Sequence, residues 1–234
     1  SHTRGRVAIE LRFDDQSKRD FDGYHAQLRR ALKTNALTFL RRFWGKMTPY
    51  MLNLTHAMIA AEASEWAICK GYCLQAYQDA DLSRKEYPHE AAYFHAAAIR
   101  HSCHSQEDAA DALTWLEKAH TSWEEAHPQE TDWRLVTERL ALSAVVANHN
   151  SYRKKDTTAW SLPKAATLQQ MWDGFWELLS QPVIADIPDR IASSTWIASW
   201  ERRLYRQILI NLSSIYLHHR HVEEGIACIT PEQV

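Results

Sequence analysis

Residues 96–128 read AAAIRHSCHSQEDAADALTWLEKAHTSWEEAHP, and their pattern decides the fold. Ala112, Leu116, Ala119, Trp123 and Ala126 recur at steps of four and three. Those steps place all five on one stripe of an α-helix, the spacing of a helix packed along its length. Ser105 with Asp108 three residues on is a variant of the capping box, a start signal for that helix. Pro128 stands just beyond its end. Upstream, Pro88 opens another helix running to about Cys103. The connection is short, so the two helices are expected to pack as antiparallel neighbours.

Working outward, the same reading applies to most of the chain. Residues 1–22 are mixed and charged and read as an N-terminal arm or cap, and 23–234 as a single all-helical domain. Leu28, Leu32, Leu37, Leu40, Phe43 and Trp44 mark an amphipathic helix ending near Gly45. Pro49 fits the first turn of a helix through Glu62, and Ser64 is expected to cap the next, through Ala80. A further helix spans Thr131 to His149. The periodicity then fails, and 151–163 reads as the longest loop. Beyond it come a helix over 164–180, one from Ile191 to about His219, and a short one from Val222. Six Gly and seven Pro are too few for the turns of an all-β chain, so the expected class is all-α.

Two stretches share an internal spacing. Residues 96–128 give Ala96-x2-Ile99-Arg100-x2-Cys103, then Ala112-x3-Leu116, then Pro128; residues 209–229 give Leu209-x2-Leu212-Ser213-x2-Tyr216, then Gly225-x3-Ile229. Trp66-x2-Cys69-Lys70-x2-Cys73 matches the first half alone. In this the chain resembles the tetratricopeptide-repeat family, whose pattern spans ~34 residues. The resemblance implies antiparallel helix pairs stacked into a right-handed array, with Ala112 and Gly225 as points of close approach. It also implies a concave groove along the first helix of each pair, where it puts His101, His104, Gln207, Ser214 and His218. An irregular helical bundle is the alternative, since 151–190 does not follow the period.

Other constellations have plainer readings. Cys69 and Cys73, four apart on a helix, could join Cys103 and His101 or His104 around zinc, but they fall where core residues belong. His218, His219 and His221 read as solvated residues of a turn between two helices. The arginine pairs 29–30, 41–42 and 202–203 read as solvated helix faces. There is no GxxxxGK[ST], GxGxxG, GxSxG or HExxH, so no catalytic residue, metal or cofactor is assigned.

The net charge of -2 gives no general pull toward nucleic acid, and no apolar run approaches the ~20 residues of a membrane span. Four sparse cysteines and an N-terminus lacking an apolar secretory segment give the expectation of a reducing, cytoplasmic setting. The leading expectation is a scaffold or regulatory module binding a protein or peptide, with homo-oligomerisation open. A second reading is a ligand-sensing or effector domain of a larger signalling or transcription regulator, with Trp172, Trp176, Trp196 and Trp200 lining a ligand pocket. A third is an enzyme without a familiar motif.

Overall fold

The computed structural model describes residues 48–152, 158–163, 165–193 and 199–224. The expected N-terminal arm, the helix ending near Gly45, Trp196 and Gly225 lie outside the described residues. Among the described residues there is no strand. The helices are α1 (Pro49–Glu62), α2 (Trp66–Asp79), a 3-10 turn at Leu82–Arg84, α3 (His89–His101), α4 (Gln106–Ala126), α5 (Trp133–Tyr152), α6 (Leu168–Ser180), α7 (Pro182–Ala185), α8 (Ile187–Ala192) and α9 (Ser199–Glu224). The chain divides into two compact units, Ser1–Glu130 and Thr131–Val234.

In the first unit α1 begins as Pro49 predicts. The Thr48 side chain accepts from the Met51 N–H, and proline occupies the first turn. Ser64 does not cap α2 as expected. It takes φ 56°, Glu65 stands at the cap position, and the Ser64 and Glu65 N–H groups donate to the carbonyls of Ala61 and Ala60. Ser64 is thus used to close α1, satisfying its last carbonyls and reversing the chain. Asn53 Nδ2 near the start of α1 donates to Asp79 Oδ2 at the end of α2 at 2.8 Å, so the two run antiparallel. Trp66 at the start of α2 meets His101 at the end of α3, and His89 at the start of α3 meets Trp123 late in α4. The antiparallel order therefore continues through four helices.

Each helix packs on the next, and α1 also packs on α3. Helix α3 is buried on nearly every face, with Ala91, Ala92, Ala96, Ala97 and Ala98 all inside. Small side chains let its neighbours approach closely. Ala109, Ala112 and Ala119 of α4 have no exposure at all, so Ala112 is the packing point the sequence suggests. α3 begins 40 residues after α1, and α4 begins 40 residues after α2. Trp66–Cys73 lies in the first half of α2.

The second unit is built on α5, α6 and α9, which pack on one another. Met171, Phe175 and Leu178 of α6 share a core with Leu204, Ile208, Leu212 and Ile215 of α9. A Cβ at Gly174 would stand 2.9 Å from Leu140 Cδ1, so the Leu140 side chain of α5 rests directly on α6 at that glycine. The predicted turn at His218–His221 is absent: α9 is helical through Glu224. No Gly or Pro falls between Ser199 and Glu224, so nothing in the local chain stops the helix there. Residues 151 and 152, expected as loop, end α5.

Candidate functional site

The last turns of α2, the connector to α3 and one face of α4 enclose an open groove of about 530 Å³ in the first unit. The connector is held by long-range bonds. The Thr48 hydroxyl donates to Glu86 Oε1 at 2.5 Å, and the Tyr50 hydroxyl donates to the Tyr87 carbonyl at 2.8 Å. Burial, with Glu90 and Glu86 nearby, pushes the Tyr50 phenol well above its ordinary pKa, so it stays a donor. Lys85 takes φ 59°, turning the chain back toward α3. These contacts fix one wall, where Tyr77, Ala80, Leu82 and Pro88 present apolar surface.

The other wall is the polar face of α4. Thr114, Lys118, Thr121 and Glu125 fall at steps of four, three and four, and Glu117 lies beside them. The Lys118 ammonium stands 3.9 Å from the centre of the Trp115 ring and 5.8 Å from that of Tyr77. Held over two π-faces, it is a positioned cation rather than a free one. Glu117 and Glu125 are exposed and enter no hydrogen bond or ion pair among the described residues. The groove thus offers one fixed ammonium, two open carboxylates and an apolar wall.

Behind it lies a buried imidazole. His95 is 3% exposed, its Nδ1–H donates to the Lys70 carbonyl at 3.1 Å, and its ring lies 4.2 Å from that of Trp115. Burial first, then the charges of Lys70 and Lys118, lowers its pKa; Asp111 and the Lys70 carbonyl work in the opposite direction. His95 is therefore neutral where an ordinary histidine begins to charge.

Comparison with known protein families, curated proteins and solved structures found no match.

The residues singled out from sequence fall elsewhere than this groove. His101 ends α3, its ring stacked on Trp66 at 3.9 Å, and His104 is exposed just before α4. Gln207 and Ser214 are half-buried on α9 in the second unit, where His218 also lies. α3 shows little beyond His101 to solvent. Trp172 and Trp176 meet edge-on, with ring centres 5.9 Å apart; Trp172 packs on the core and Trp176 is exposed. Trp200 lies in the first turn of α9.

Cys69 and Cys73 are fully buried in α2 with sulfurs 3.7 Å apart, and Cys103 is half-buried. Hydrogen bonding within the pair and burial push the Cys73 thiol far up, so it stays protonated. Among the described residues no group of three His, Cys, Asp or Glu could hold a metal ion. No described helix is long and apolar enough to cross a membrane.

Sequence reasoning passed over the groove. Its α4 wall was legible, since Thr114, Lys118, Thr121 and Glu125 share a face. The opposite wall is not, because it comes from residues 77–88 through the fold of the connector.

Proposed function

We propose that the chain is an interaction module of stacked, tetratricopeptide-like helix pairs, and that a segment of a partner protein binds in the groove between α2, its connector and α4. The observation that carries this is the combination of an apolar wall with an aromatic-held ammonium and two carboxylates free of internal partners. The successive antiparallel packing of α1 to α4, with α1 also on α3, supports the stacked-pair reading.

The lining favours one chemistry. Two carboxylates against one ammonium leave the groove net anionic, so it suits a basic side chain next to an apolar one. The apolar group covers Leu82 and Pro88, the basic group reaches Glu117 and Glu125, and Lys118 donates to a carbonyl of the bound segment.

A peptide library screened against the full chain, with Trp fluorescence as a second readout, tests this. Enrichment of Lys or Arg beside Leu, Ile, Met or Phe is expected. Glu117→Lys with Glu125→Lys, both on exposed positions, should weaken those peptides by about tenfold or more. No enrichment, or binding indifferent to that double substitution, rejects the reading.

A further inference from the structure

Ser122 lines the groove on α4, is 7% exposed, and its buried Oγ enters no hydrogen bond among the described residues. The other buried helical hydroxyls are satisfied within their own helix. Thr137 donates to the Trp133 carbonyl at 2.7 Å and Ser143 to the Arg139 carbonyl at 3.1 Å. On α4 itself, the exposed Thr114 donates to the Ala110 carbonyl at 3.0 Å. Ser122 makes no such bond, so its proton and both lone pairs are uncommitted. A buried hydroxyl without a partner is unfavourable, and in a groove a bound group can supply the partner.

The position of Ser122 selects the chemistry of that group. Residues three and four apart are neighbours on a helix, so Ser122 stands beside Lys118 on one side and Glu125 on the other. Glu125 is exposed and Ser122 is buried, so these two acceptors lie at different depths. A cation that meets both needs donors spread over several atoms. Guanidinium carries five N–H donors on three nitrogens in one plane, whereas ammonium carries three on a single nitrogen.

The walls favour the same cation. A group that reaches Ser122 passes Tyr77, Ala80, Leu82 and Pro88 and sheds water there. Guanidinium is the more weakly hydrated of the two cations, and its flat face packs on aromatic and apolar surface. The resident ammonium of Lys118 is held over the Trp115 ring, and the Glu117 and Glu125 carboxylates together outweigh its charge.

We infer that the groove selects arginine over lysine in the bound segment, with Ser122 Oγ accepting from the guanidinium while the Glu125 carboxylate pairs with it. This rests on the reading of the groove as a peptide site and adds the residue that distinguishes one basic side chain from the other.

Two probes test it: acetyl-Gly-Leu-Arg-Leu-Gly-amide and the same peptide with lysine in place of arginine, each titrated against the full chain to about 2 mM by Trp fluorescence. The arginine peptide should bind about tenfold or more tightly than its lysine twin. Ser122→Ala should bring the two affinities to within about twofold of each other, by weakening the arginine peptide. That variant loses no internal hydrogen bond, so it should melt at or above the temperature of the parent chain. A variant that melts several degrees lower shows the hydroxyl at work inside the fold and overturns the inference. Equal affinity for the two peptides, or an arginine preference that survives Ser122→Ala, overturns it as well; if Glu117→Lys with Glu125→Lys still weakens both peptides, the groove stands as a peptide site without this selectivity. Binding of neither peptide rejects the groove reading and the inference together.

Discussion

Ala112 lies on the buried face of α4, which packs on α3, and has no exposed surface. A longer side chain there must displace packed backbone, so Ala112→Leu should destabilise by about 1–3 kcal/mol despite adding apolar area. Gly71 is the opposite case. A Cβ there meets nothing within 4 Å, so Gly71→Ala should stabilise α2 by about 0.5–1 kcal/mol through the unfolded chain alone. Urea midpoints that shift in opposite directions for the two variants check this; a tolerated leucine would mean that α3 and α4 are not in close contact at that point. His95 sets a different dependence. Its folded pKa lies below the ordinary value, so acid binds the unfolded chain first. Stability should be full above about pH 6.5 and fall with pH down to the lowered folded pKa. Lys118→Met removes one of the two cations that lower it and should flatten that slope, as should His95→Gln, both read from thermal midpoints at stepped pH.

At the scale of elements, starts and stops decided what could be read. Pro49 and Ser105 act through backbone chemistry within three residues, and both helices begin where the sequence puts them. In α4 the Ser105 hydroxyl accepts from the Asp108 N–H at 3.0 Å while Asp108 accepts from the N–H groups of His104 and Ser105. Those bonds hold the Asp108 carboxyl below the usual carboxylate range. Ser105→Ala should therefore cost about 1 kcal/mol and speed amide exchange in the first turn of α4 while leaving its C-terminal half protected. Uniform exchange along α4 would argue against a local cap. The misread elements share a cause. Residue preference puts a cap at Ser64 and repeat register puts a turn at His218–His221, yet Ser64 serves the end of α1 and α9 meets no breaker before Glu224. The groove stayed hidden because α4 supplies half of it and a connector folded by Tyr50 and Thr48 supplies the rest. Tertiary hydrogen bonds more than 30 residues apart leave no periodic trace.

At the scale of the whole molecule, each described hydrophobic cluster stays within one unit: α1, α2 and α3 share two of them, and α5, α6 and α9 another. A unit with its own core should hold its helices when the covalent link is cut. The link is open to attack. Pro128, Gln129, Glu130 and Thr131 are exposed, and Gln129 takes φ 71°. Glu107, Glu117, Glu124 and Glu125 are exposed as well, but they sit inside α4, where cleavage requires unwinding. A glutamate-specific protease should therefore cut first after Glu130 among the described residues, yielding Ser1–Glu130 and Thr131–Val234, both still helical by circular dichroism. Mass spectrometry of early time points decides between this and cuts scattered along α4, which would mean that the first unit does not hold by itself. If the halves stay folded, the groove travels with the first fragment, so peptide binding should remain in Ser1–Glu130 and be absent from Thr131–Val234.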